Sequence, residues 1–410
     1  MQRRAVMQWL AGLTAISPGA GAVSGDAVPG GGSGEARKIA GPGLGAASTV
    51  GSAGDASRLA APADAAPSVS PGRQLNFPRD FGAHPEARIE WWYLTGAIRP
   101  EASALDSAPT HGFQITFFRS KTAVDAAHPS AFAAGQLIFA HAALTDLSAR
   151  RLRHDQRIAR SGLGRAGATR GDTDAQLLGW RLNRGGTPEQ SRYRAQVASD
   201  TAGFIFDFNL QSAQPVLLQG VAGFSQKGPS PGQASHYYSQ PQLSLAGTLT
   251  VDGRAQAVQG RAWLDHEWSD SLLDAQAVGW DWIGINLADG GALTVFRLRR
   301  ADGSTLHAGG SLRAAGSTAV RNFATDEVRF TPLRRWTSPA SRAVYPVEWQ
   351  VETPAGRHRV RALLDDQELD SRNSTGAIYW EGLSELLDDA GRRVGLGYLE
   401  LTGYAAALRL

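Results

Sequence analysis

The sequence predicts an all-β protein made of two tandem antiparallel β-barrels. Three observations carry this. Apolar residues recur with a period of two along short segments, the repeat of a strand rather than the 3.6 of a helix. Turn signals punctuate these segments, at Asp252-Gly253, Asp289-Gly290, Asp302-Gly303 and Ala390-Gly391. The second half of the chain echoes the first, each half opening on a Trp-rich segment and closing on Gly-x-x-aromatic-Leu-acid.

Taken in order, the chain opens on an address-like segment over residues 1–24. It carries the pair Arg3-Arg4, a short apolar stretch and small residues at Ala20 to Ala22. This predicts a twin-arginine-type export signal, and with it a periplasmic or secreted protein. The apolar run is too short and too interrupted to span a bilayer. Residues 25–72 are mostly Gly, Ala, Ser, Asp and Pro, the composition of a disordered linker.

The first barrel is expected over residues 73–270. In "GFQITFFR", Phe113, Ile115 and Phe117 alternate with Gln114 and Thr116; in "FIFDFNL", Phe204, Phe206, Phe208 and Leu210 share a face. In "LSLAGTLTV", Leu243, Leu245, Leu249 and Val251 do the same. The second barrel is expected over residues 271–410, from "GWDWIGINL" and "LTVFRLR" to "GYLELTGY". Residues 380–389 fit either a short helix or another strand and turn. Gly260-x-x-Trp263-Leu264-Asp265 aligns with Gly395-x-x-Tyr398-Leu399-Glu400. In an up-and-down barrel the last strand pairs with the first. "WLDHEW" should therefore pair with "EWWY", and "GYLEL" with "GWDWIGI".

Composition narrows the function. The 410 residues are 42% hydrophobic and 19% charged, enough for two or three domains with a sizeable core. The formal charge is +3, and no basic block is interleaved with aromatics, which argues against nucleic acid as a partner. The absence of cysteine excludes disulfides, a thiolate nucleophile, Cys-ligated zinc and a lipoprotein anchor. "GLGRAG" (Gly162, Gly164, Gly167) fits G-x-G-x-x-G but has neither a strand before it nor a helix pattern after it. "GFSQKG" around Ser225 misses the G-x-S-x-G elbow. No H-E-x-x-H or close ligand pair occurs, so neither a metal nor another cofactor is expected. His141, on the Leu137–Phe139 face of its segment, reads as a satisfied core histidine.

Residues two apart on a strand face the same way. Trp263, Asp265 and Glu267 thus share one face of "WLDHEW", and Leu264, His266 and Trp268 the other. Glu90 and Trp92 share a face of "EWWY". If the Asp265 face lines the barrel, two carboxyls whose Cα atoms are about 6.5 Å apart look into a cavity walled by indoles. Repulsion and poor solvation there should keep at least one protonated near neutral pH. Such a pair can protonate a double bond and orient or deprotonate water, while indole faces stabilise the cation between the two steps. Glu90 is either a third member of this site or the partner of an arginine at the barrel seam. Asp265 and Glu267 have the same structural alternative.

"EWWYLTG", "GFQITFFR", "YYSQP", "WLDHEWS", "GWDWIGINL", "YWEG" and "GYLELTGY", in this order over residues 75–410, resemble the motif series of the AttH and carotenoid 1,2-hydratase superfamily. The resemblance implies two lipocalin-like barrels. It implies an elongated hydrophobic ligand of isoprenoid or lipid-like type and, through the hydratase branch, hydration of a C=C bond with Asp265 as the acid and Glu267 as its companion. The ligand would contact Glu90, Trp92, Tyr237, Tyr238, Trp263, His266, Trp280 and Trp282. The AttH branch implies an alternative, a non-catalytic accessory protein beside an ABC-type membrane exporter. His266 departs from the family pattern, where arginine is commoner, and adds a titratable group.

Overall fold

A computed structural model describes residues 68–408, apart from Leu105, Ala126, Ala127, Ala131 and Leu272. The expected export signal, and the linker up to residue 67, lie outside the described residues.

The fold is all-β, as expected. Ile89–Pro100 begins a 13-stranded antiparallel sheet that ends with Arg254–Ser269, and Gly279–Leu287 begins a 10-stranded one that ends with Arg393–Leu401. In both, the first strand pairs with the last. Trp92 stands opposite His266, and Tyr93 opposite Asp265. Trp282 stands opposite Glu400 in the second sheet. The Gly-x-x-aromatic motif has a steric cause. A Cβ on Gly260 would collide with the Ala97 carbonyl of the first strand, and one on Gly395 with the Ile285 side chain. Asp252-Gly253 forms the two-residue hairpin its sequence announces, with φ of 48° and 79°. The open segment 380–389 resolves as the end of the strand Ala377–Leu387 followed by a turn.

The first sheet curls into a nearly closed barrel. Its two edges, Arg151–Arg160 and Ala166–Ala168, do not pair as strands. Side chains stitch the gap instead. Arg157 donates to the carbonyls of Leu178 and Ala198 and lies over the Trp180 ring, while Arg153 grips Asp252. The inside is full: Trp92, Phe113, Phe117, Phe206, Phe208, Tyr238 and Trp268 belong to one buried cluster. A short segment around the 3-10 helix Arg79–Phe81 packs onto it, with Phe81 edge-on to Tyr238. The second sheet wraps its own core around Ile283, Val295, Trp349 and Trp380. A third cluster lies between the sheets and mixes residues of both, including Tyr93, Trp263, Trp282, Phe296 and Tyr398. The opening strands are therefore buried on both faces, which is why their sequences read as near-continuous apolar runs.

Each opening strand also carries a buried acid held by arginine. Glu90 stands opposite Arg119 and accepts from its Nε at 2.7 Å. Asp281 stands opposite Arg297 and accepts from its Nε at 2.7 Å, with Arg299 and the Tyr404 hydroxyl on its other oxygen. The Glu90–Arg119 pair is the arginine partnership that the sequence held open for Glu90.

Candidate functional site

Period two sends alternate residues of the opening strand to opposite faces, and this divides the expected site in two. Tyr93 and Trp91 fall on the Asp265 and Glu267 side, between the sheets. Glu90 and Trp92 fall on the His266 side, inside the first barrel. The barrel interior is packed solid, so the cavity is not there. It lies between the two sheets and measures about 200 Å³.

Its walls are aromatic. Trp91, Tyr93, Phe118 and Tyr237 come from the first sheet, and Trp280, Trp282, Phe296 and Tyr379 from the second. Four carboxyl groups reach it: Asp265 and Glu267 from the first sheet, Glu381 and Glu400 from the second. Asp265 accepts from the Ser239 hydroxyl (2.5 Å) and Trp263 Nε1 (2.7 Å) on Oδ1, and from the Tyr237 hydroxyl (2.8 Å) on Oδ2. Burial nonetheless pushes its pKa up to about 7; the three donors work against this and the charge of Glu267 adds to it. Glu381 and Glu400 stand opposite each other on adjacent strands. Burial raises both, and their mutual repulsion raises Glu381 further. The Tyr93 hydroxyl stands near enough to Glu381 to affect its ionisation, yet outside hydrogen-bond geometry. Glu267 is paired with Lys227 at 3.0 Å, and that ammonium lies over the rings of Tyr237 and Phe296.

Of the residues expected from sequence, Asp265, Glu267, Tyr237, Trp280 and Trp282 meet in this cavity. Trp263 stands behind Asp265 and orients it. Trp92, Tyr238 and His266 are corrected: they are buried in the first barrel, away from the cavity. Glu90 touches the cavity wall, but its carboxylate turns inward to His84, His266 and Arg119. Burial works to raise its pKa, but the His266 and His84 hydrogen bonds hold it well below the carboxylate range. His266 is lowered to about 4, chiefly by burial, against the pull of Glu90.

His84, Glu90 and His266 converge as metal ligands would, with donor atoms within 4.8 Å of one another. Their spacing argues for hydrogen bonds. Both imidazoles lie 2.8–2.9 Å from the same Glu90 oxygen, whereas two ligands of a tetrahedral zinc stand roughly 3.4 Å apart. In this network Arg73 holds Asp80 and Arg119 holds Glu90, so each buried carboxylate has a guanidinium partner.

Sequence reasoning missed Glu381, Glu400, Tyr93, Lys227, His141 and Tyr379 as cavity residues. The repeat already held the signal for Glu400, since it aligns with Asp265. Lys227 and Tyr379 had none, because only the docking of the two sheets brings them in.

The AttH-like family model matches residues 68–404. The crystal structure of an AttH protein from Nitrosomonas europaea is similar, at 46% identity and a TM-score of 0.74, over 83% of this chain and 100% of that one. Kievitone hydratase from Nectria haematococca shares the fold, at 15% identity and a TM-score of 0.53, over 77% of this chain and 89% of that one. Among curated proteins nothing matches.

Proposed function

The chain belongs to the AttH-like family, and from that premise we propose that it binds an unsaturated, mostly apolar small molecule between its two sheets and adds water across a C=C bond. One observation carries this reading: four carboxyl groups from two sheets converge in one aromatic cavity. A cavity of about 200 Å³ suits the reacting end of an isoprenoid or lipid-like chain rather than its whole length.

Asp265 is the acid. Two donors occupy Oδ1 and one occupies Oδ2, so Oδ2 is the better seat for the proton. Transfer of that proton to one alkene carbon leaves a carbocation at the other. The faces of Trp280 and Trp282 stabilise it. Water adds to the cation, and Glu267 takes the proton that this water loses. That proton returns to Asp265, so the step consumes one alkene and one water and needs no redox partner.

The test starts with the protein purified from its native source. Co-purifying lipids are identified by mass spectrometry and incubated with the protein in heavy-oxygen water. Hydration predicts a product heavier by one labelled water, formed by the wild type and not by Asp265→Asn. Tight binding with no labelled product from either would support the non-catalytic accessory reading instead.

A further inference from the structure

A chain of hydrogen bonds crosses from the first sheet to the second beside the cavity, and its direction is determined. Gln156 Nε2 donates to the Asp370 carbonyl at 2.7 Å. The opposite amide orientation would set oxygen against oxygen, so Gln156 Oε1 faces Ser374. The Ser374 hydroxyl donates to that oxygen at 2.6 Å. With its only hydrogen spent, Ser374 must accept from His141 Nε2, 2.8 Å away. Neutral imidazole carries one N–H, so Nδ1 is bare and accepts the Tyr379 hydroxyl at 2.8 Å. Burial holds His141 neutral by pushing its pKa down to about 3, with His154 adding to the effect. Nothing in this chain changes across the physiological pH range.

His141 and Tyr379 both line the cavity. We propose that Tyr379 is a specificity-determining residue: its proton is committed to His141, so toward a ligand it can only accept, and it selects molecules that present a hydroxyl group over those that present an ether or carbonyl oxygen. With its hydrogen spent on His141, the tyrosine oxygen keeps a lone pair for the ligand. An oxygen without a hydrogen, placed there, would meet that lone pair with no proton between them. Such an unpaired buried contact weakens binding by an amount comparable to a lost hydrogen bond. The inference rests on the reading that the cavity binds an apolar small molecule. It does not require that the molecule be hydrated.

The test is a binding titration with three probes of nearly equal shape: the tertiary terpene alcohol linalool, its methyl ether, and the hydrocarbon myrcene. Quenching of tryptophan fluorescence reports binding, since Trp91, Trp280 and Trp282 wall the cavity. The wild type is expected to bind the alcohol roughly five- to tenfold more tightly than the ether. Tyr379→Phe, which keeps the ring, should abolish that difference while leaving myrcene affinity unchanged. His141→Leu frees the tyrosine proton, and the preference should swing toward the ether. If His141→Leu does not fold, the Phe variant still decides the matter. Equal affinities in the wild type, binding of none of the probes, or a preference that survives in Tyr379→Phe would each overturn the proposal. Discrimination without any hydration product would sustain it and count against hydration alone, and equal binding with product formed would do the reverse.

Discussion

Asp265 and Glu400 occupy corresponding places in the last strands of the two sheets, one opposite Tyr93 and the other opposite Trp282, and both reach a single cavity. The chain repeats a carboxyl position and then docks the two copies on each other. A repeat that would place one acid in each of two separate barrels instead gathers its acids at one site.

The pH dependence follows from burial. Asp265 has a folded pKa near 7, above its ordinary value of 3.8. Its protonated form therefore favours the fold, fully so below about pH 4, and this contribution is lost as the pH rises through about 7. Asp265→Asn should melt lower than or level with the wild type at about pH 4. Its melting temperature relative to the wild type should then climb by about pH 8, by the equivalent of roughly 1–4 kcal/mol. Calorimetry across that range checks it; a difference that does not change with pH would mean the carboxyl is ionised throughout. Hydration by the wild type should decline over the same upper interval, because the acid loses its proton.

Glu90 and Arg119 are both almost completely buried. Removing one partner strands the other charge. Arg119→Met should cost about 3–5 kcal/mol, read by urea unfolding. A loss under 1 kcal/mol, as for an exposed pair, would show that the seam is wet.

Lys227→Met should leave the Glu267 carboxylate in an aromatic wall without its counter-ion. Without Lys227, nothing holds that carboxylate in place beside the cavity, and it no longer accepts the proton that water loses. Hydration at about pH 6 should fall at least tenfold, while ligand affinity changes little.

Export is tested through the Arg3-Arg4 pair. Arg3→Lys with Arg4→Lys should hold the precursor in the cytoplasm, as seen by fractionation and blotting. Normal periplasmic recovery of the double variant would exclude the twin-arginine route.

The sequence by itself determined the strands, their turns and their end-to-end pairing. Period two, Asp-Gly turns and the Gly260 and Gly395 motifs are local signals, and the backbone obeys them. It also brought Asp265 and Glu267 to one face of a strand, because alternation needs no tertiary context. It could not say which face looks inward. Both faces of "EWWYLTG" are buried, so Trp92 and Tyr93 look alike in sequence although they lie on opposite sides of the sheet. Only the tertiary structure decided that the first barrel is filled by its own aromatics, and that its outer face is sealed by a second sheet. The cavity, the raised carboxyls and the bond between His141 and Tyr379, 238 positions apart, all exist because two surfaces dock, and no periodicity within either half encodes that contact.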